Sequence, residues 1–152
     1  MAQARRLTGV VVSGLGEGAS FMLLKWVREA LSEGLGFAPY PATLNLRLES
    51  AGQVGEWERL RAEAEGVEVP PPSPAFCSAR CFPVAVELLR AGAGEAVRGA
   101  VIFPAVGGYP PDKVEVVAPV NFKAALGVRD GDRVRLIFAE GGWRRRSNPG
   151  RG

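Results

Sequence analysis

Six short apolar segments, each ended by glycine, proline or an Asp/Asn turn, constrain this chain more than any other feature. The clearest is TLNLRLE, Thr43 to Glu49. Its period of two puts Leu44, Leu46 and Leu48 on one face and Thr43, Asn45 and Arg47 on the other, the pattern of a strand with one buried side. Leu7 to Ser13 (LTGVVVS), Phe76 to Leu89, Val97 to Phe103, Val114 to Pro119 and Arg133 to Phe138 read as strands too. Helical patterns interrupt them. One runs from Phe21 to Glu33, with Ser20 as N-cap, Leu24, Val27 and Leu31 as the buried stripe and Gly34 as the stop. A second covers Val54 to Glu65 with Trp57 and Leu60 on one side, and Asn121 caps a short helix over Phe122 to Leu126. Val67 to Pro74 (VEVPPPSP) reads as an extended, polyproline-like connector. Strands this short leave edges that must be paired or covered. The pattern therefore predicts a mainly β, α+β fold: a small closed six-stranded β-barrel with helical insertions.

A chain of 152 residues is the size of one domain and can bury roughly 68–70% of its unfolded surface. No apolar stretch approaches the roughly 18 residues of a membrane span, and Met1 to Thr8 carry no readable secretory signal, so the expected compartment is the cytoplasm. Lys and Arg total 19 against 16 Asp and Glu. The last twelve residues hold Arg144, Arg145, Arg146 and Arg151 and no acid; without those four the body has 15 basic against 16 acidic residues, a net −1. The basic balance belongs to the tail, so residues 1–140 are expected as one barrel domain and 141–152 as a disordered basic tail. The chain has no histidine, which removes every Ser-His or Cys-His nucleophile pair. Cys77 and Cys81, about 13 Å apart if on one strand, are too distant for a disulfide and are expected as buried thiols.

Three groups of residues could carry chemistry. Gly14 to Ala19 (GLGEGA) lies between the first strand and the first helix, where free N–H groups can cradle a phosphate; the same glycines could equally serve only a tight turn. It is neither a P-loop nor a Rossmann fingerprint. Thr43 and Asn45, at i and i+2 on one strand face, offer two neutral oxygens of the kind magnesium accepts alongside water and substrate phosphates, or they simply cover a solvent face. In the third group a Gly/Pro loop, Pro104 to Pro111, flanks Asp112, Glu115, Asn121 and Lys123 and could shape a pocket, with Tyr40 and Tyr109 among the aromatic residues available as a platform for a flat ring.

Taken together, VVSGLGEGASF (Val11 to Phe21), LGFAPYPATLNLRL (Leu35 to Leu48) and VEVVAPVNFKAALGVRDGDRVRL (Val114 to Leu136) resemble the archaeal-type CTP-dependent riboflavin kinases, which are small cradle-loop barrels. The resemblance implies a magnesium-dependent phosphotransferase that moves the γ-phosphate of CTP to the 5′-hydroxyl of riboflavin, giving FMN and CDP. It implies nucleotide contacts for Gly14, Leu15, Gly16, Glu17, Gly18 and Ala19 and for Val120, Asn121, Phe122 and Lys123. Thr43 and Asn45 become the magnesium ligands, and Glu115 a flavin contact. Lys123 is the candidate for screening charge, and Glu17 or Glu115 for orienting the hydroxyl.

Two positions depart from the family pattern. Ala42 replaces a usual glycine, which matters only if the local φ is positive. Gly107 stands where a flavin-contacting threonine is usual, so a hydroxyl contact is missing. The expected partners are the two small-molecule substrates, with neither membrane nor nucleic acid, and the expected state is a monomer. Two alternatives remain open. GVRDGDRVRLIF also resembles the swapped-hairpin transcription-regulator module, which would make the chain a non-enzymatic barrel binding nucleic acid through its arginines. A flavin or nucleotide binder without turnover is the other.

Overall fold

The computed structural model describes residues 5–12, 25–40, 42–64, 66–69, 78–92, 94–105 and 107–138. Within them seven strands occur: β1 (Arg5–Val11), β2 (Leu44–Leu48), β3 (Val67–Val69), β4 (Ala79–Leu88), β5 (Val97–Pro104), β6 (Lys113–Val117) and β7 (Arg133–Phe138). Helices α1 (Lys25–Leu35), α2 (Ala51–Glu63) and α3 (Phe122–Leu126) complete the set. Six strands close a barrel in the order β4, β5, β6, β2, β1, β7, with β7 returning to β4, and every pairing is antiparallel. Closure gives each of these six strands a partner on both sides, as the strand pattern requires.

The seventh strand corrects an expectation. Val67 to Val69 belong to a strand, β3, which pairs with the start of β4 through Val67 with Cys81 and Val69 with Ala79. The alternation of Val67, Glu68 and Val69 buries both valines and exposes the glutamate, a two-residue period that the adjoining prolines hid. Residues 70–77, including Cys77, lie outside the described residues. On the same side of β4, β3 pairs residues 79–81 and β7 pairs 85–88. Pro83 falls between those two stretches, where the strand has a partner on one side only and a missing N–H is tolerated.

Leu7, Leu46, Phe82, Val86, Val101, Val116, Val134 and Leu136 are wholly buried and form the barrel's interior cluster. Helix α2 seals it with Trp57 and Leu60, each 1% exposed, as the sequence predicts. Trp57 meets Phe82 edge-on at 5.5 Å between ring centroids and lies 6.0 Å from Phe138. The helix starts three residues before its expected position because Ser50 caps it, accepting a hydrogen bond from the Gln53 N–H.

A second apolar layer lies outside the barrel, where Leu31 and Leu35 of α1 cover Val67, Val69, Cys81, Ala100, Ile102 and Val117. Gly34 does not stop α1. The helix continues through Leu35, and Gly36, at φ +81°, is the left-handed residue that ends it. Gly34 instead permits close packing, since a Cβ there would stand 3.1 Å from a methyl of Val67. Leu31 takes its predicted buried place, while Ser20 and Leu24 lie outside the described residues. Cys81 is a free, buried thiol that desolvation pushes up to about 12, so it is inert as a nucleophile at neutral pH.

Candidate active site

A cleft of about 400 Å³ opens where β1, β2 and α3 converge. Its walls are the end of β1 (Val11, Val12), the segment entering β2 (Tyr40, Ala42, Thr43, Leu44, Asn45), the start of α3 (Val120, Asn121, Phe122, Lys123) and the turn before β7 (Val128, Arg129, Asp130). Backbone hydrogen bonds set these walls. The Val12 N–H donates to the Asn45 carbonyl at 3.0 Å, the Gly131 N–H to the Val11 carbonyl at 2.8 Å, and the Tyr40 N–H to the Ala118 carbonyl at 2.7 Å. Val12 is also the last described residue before the glycine loop, Gly14 to Ala19, which with Glu17 lies outside the described residues.

Thr43 and Asn45 sit as the alternation of β2 requires, half-buried on the face opposite Leu44 and Leu46. The Thr43 hydroxyl donates to Asn45 Oδ1 at 3.3 Å, so two neutral oxygens stand side by side on the cleft wall. Residues 120–123 face them. The Asn121 side chain is used at both ends: its Oδ1 accepts from the Lys123 N–H at 2.9 Å, capping α3, and its Nδ2 donates to the Tyr40 hydroxyl at 3.2 Å. Tyr40 and Val120, 40% and 41% exposed, are the large exposed hydrophobic residues among those described, and both line this cleft.

Glu115 lies beside the cleft rather than in its lining. On β6 it is the direct cross-strand partner of Asn45 and, on its other side, of Ile102. Val114 and Val116 turn inward, which leaves the Glu115 carboxylate half-buried on the outer face. It accepts a hydrogen bond from the Tyr109 hydroxyl at 2.8 Å. Burial, then the neighbouring carboxylate, push that hydroxyl above its ordinary pKa, so it remains a donor. Gly107 lies in an exposed turn, open on all sides. No described residue other than glycine has a positive φ, so Ala42 replaces the usual glycine without backbone strain.

The structure thus brings Thr43 and Asn45 together with Val120, Asn121, Phe122 and Lys123, and sets Glu115 one strand away. Sequence reasoning took Arg129 and Asp130 only for turn residues, although both line the cleft. Nor did it find the hydroxyl contacts of Tyr40 and Tyr109. Those pairs are 81 and 6 residues apart, and no periodicity reports them.

Six antiparallel strands closed on themselves, with short helices and a cleft lined in part by Thr43 and Asn45, define the class: a small closed β-barrel protein. The model of the family CTP-dep_RFKase, described as domain of unknown function DUF120, matches residues 11–137. The chain belongs to this CTP-dependent riboflavin kinase family. It is 40% identical over 136 residues to a riboflavin kinase of Pyrobaculum islandicum, an alignment covering 89% of this chain and 61% of that protein. A riboflavin kinase of Aeropyrum pernix is 41% identical over 133 residues, covering 84% of this chain and 91% of its own length. A third, from Methanocella arvoryzae, is 35% identical over 132 residues, covering 87% and 56%. The chain spans about 60% of the length of the Pyrobaculum relatives. The match takes in GVRDGDRVRLI, residues 127–137, which therefore belongs to this family's domain.

Proposed function

We propose that this chain is a CTP-dependent riboflavin kinase, transferring the γ-phosphate of CTP to the 5′-hydroxyl of riboflavin and releasing FMN and CDP. The observation that carries the reading is the meeting, in one cleft, of the Thr43 and Asn45 oxygens with residues 120–123, beside the point where the chain enters the glycine loop. The relatives' shared name, riboflavin kinase, supports the substrate. In the reaction a bond forms between the hydroxyl oxygen and the γ-phosphorus, the bond from that phosphorus to the bridging oxygen breaks, that oxygen leaving with CDP, and the hydroxyl proton is released to solvent. Such a transfer needs alignment and charge neutralisation more than a protein nucleophile, which accounts for a site built without histidine.

Thr43 and Asn45 fit magnesium. Among the described residues no group of three or more acidic, Cys or His side chains could cage a metal. Two adjacent neutral oxygens suit an ion that completes its shell with phosphate oxygens and water. When bound there, magnesium neutralises phosphate charge. The chain's own residues do the rest. Gly14 to Ala19 supply backbone donors for the nucleotide phosphates, and Glu17 stands among them. Tyr40 and Val120 give the cleft an apolar lip for a planar ring, and Lys123 supplies positive charge at its mouth. Asn121 acts as a cap and clasp, holding residues 120–123 against the segment that carries Thr43. Glu115 accepts hydrogen bonds from the flavin one strand from Asn45. The same reading takes residues 1–140 as the catalytic domain and 141–152 as a basic tail, in a cytoplasmic monomer.

The test is incubation with riboflavin and magnesium, CTP in one reaction and ATP in another, with FMN separated from riboflavin by chromatography. FMN formed with CTP in clear preference to ATP is the expected result; no FMN with either overturns the reading in favour of a binder without turnover. Replacing both Thr43→Ala and Asn45→Ala is expected to raise the magnesium concentration needed for half-maximal rate at least tenfold. An unchanged magnesium requirement removes the metal assignment.

A further inference from the structure

We infer that Tyr109 is a positioning residue for Glu115: its hydroxyl holds one carboxylate oxygen in place so that the other is presented to the flavin. The inference rests on the riboflavin kinase reading above and deepens it at the flavin end of the site.

Three observations converge on Tyr109. First, Glu115 is half-buried between two inward valines, and the Tyr109 hydroxyl, 2.8 Å from Oε1, satisfies one of its two oxygens. A carboxylate left without a partner there would swing between rotamers and present no fixed acceptor. Second, the ring carrying that hydroxyl is anchored although it sits in a loop of glycines and prolines. Phe103 meets it edge-on at 5.7 Å and the Lys113 ammonium lies 5.3 Å from its centroid. Phe103 is itself fixed by Trp57 at 6.1 Å and by the Arg61 guanidinium, 4.3 Å from its ring. The hydroxyl is therefore tied, through Phe103 and Trp57, to the barrel's interior cluster. Third, Gly107 supplies no side chain to the flavin end, so a side-chain hydroxyl there comes from two residues further along the chain.

The register makes the placement matter. Glu115 and Asn45 are cross-strand partners, so the angle at which Glu115 holds one end of riboflavin decides where the other end, with its reacting hydroxyl, falls relative to the Thr43 and Asn45 oxygens. Misplacement by about 1 Å at such a site can cost on the order of a hundredfold in rate. Tyr109→Phe keeps the ring and its packing and removes only the hydroxyl.

The experiment is a double-mutant cycle of Tyr109→Phe and Glu115→Ala, read by quenching of riboflavin fluorescence, by KM for riboflavin and for CTP, and by thermal melting. Tyr109→Phe is expected to raise Kd and KM for riboflavin about tenfold, with KM for CTP within about twofold and the melting temperature preserved. In the Glu115→Ala background the same change is expected to add nothing. The inference is overturned if wild-type protein binds riboflavin and Tyr109→Phe binds it equally well. It is overturned too if Tyr109→Phe weakens binding as much in the Glu115→Ala background, or if both KM values and the melting temperature move together, the mark of a packing role. Wild-type protein that fails to bind riboflavin removes the kinase reading itself, and the inference with it.

Discussion

At Gly107 an added Cβ would meet nothing within 4 Å, and the residue does not adopt a left-handed φ. A threonine, the residue that the resemblance implies at this position, can therefore be accommodated. Gly107→Thr is expected to leave the melting temperature unchanged within about 1 °C and to lower KM for riboflavin several-fold, measured by FMN formation at saturating CTP. Neighbouring glycines are not equivalent. Gly108, next in the chain, has φ +80°, and a β-branched residue there would be strained whatever the space around it. Glu115 shows how much a single residue's role depends on what surrounds it. Its alternation between Val114 and Val116 was legible in the sequence, but the hydroxyl that fixes it comes from a loop whose text is glycine and proline.

Between elements, the approach of β5 to β6 is set by a position where no side chain fits. A Cβ at Gly99 would lie 2.5 Å from the Val117 carbonyl oxygen and 3.5 Å from the ring of Phe122, the first residue of α3. Gly99→Ala must therefore push β5 away from the end of β6 or displace α3, and α3 forms one wall of the cleft. The expected cost is about 1–3 kcal/mol, seen as a lower denaturant midpoint, together with a raised KM for CTP. Helix α1 uses a glycine in the same way at Gly34, whose missing side chain lets the helix settle on β3. Both contacts escape sequence reading because a glycine in a strand or helix pattern looks like a weakness or a stop until its neighbour across the interface is known. The start of α2, by contrast, was within reach, since Ser50 followed three residues later by Gln53 is a capping-box signal.

Across the whole molecule, ion pairs stitch the outside of the barrel over long sequence distances. Arg5 of β1 bridges to Glu56 of α2 at 3.0 Å, and Arg133 of β7 to Glu49, the residue after β2. The Arg133 guanidinium holds the Glu49 carboxyl below the ordinary 4.5, and Arg59 followed by Arg5 does the same for Glu56. A carboxylate whose pKa is lower folded than unfolded contributes stability above the unfolded value and loses it as pH falls through the folded one. Melting temperature is thus expected to hold between about pH 5 and 8 and to fall progressively below pH 4.5. Because these pairs are exposed or half-exposed, the part of that dependence due to them should shrink in 1 M salt. Thermal melts at stepped pH, with and without salt, check both statements.

The amino-acid sequence by itself determined the strand count of the barrel, the inward leucines of β2, the Asn121 cap and the pair Thr43 and Asn45. Each is written in a local period or a capping residue, and backbone geometry converts those directly into faces and ends. Tertiary structure alone decided the rest. It paired β4 with β7 to close the barrel, turned Val67 to Val69 into a strand, brought Tyr40 to Asn121 and Tyr109 to Glu115, and set Arg129 and Asp130 on the cleft. These are meetings between segments whose distance in space depends on how the barrel closes. That the barrel closes was readable from strands too short to leave their edges bare, but which strands meet at the closure is a property of all of them together and is written in no single one.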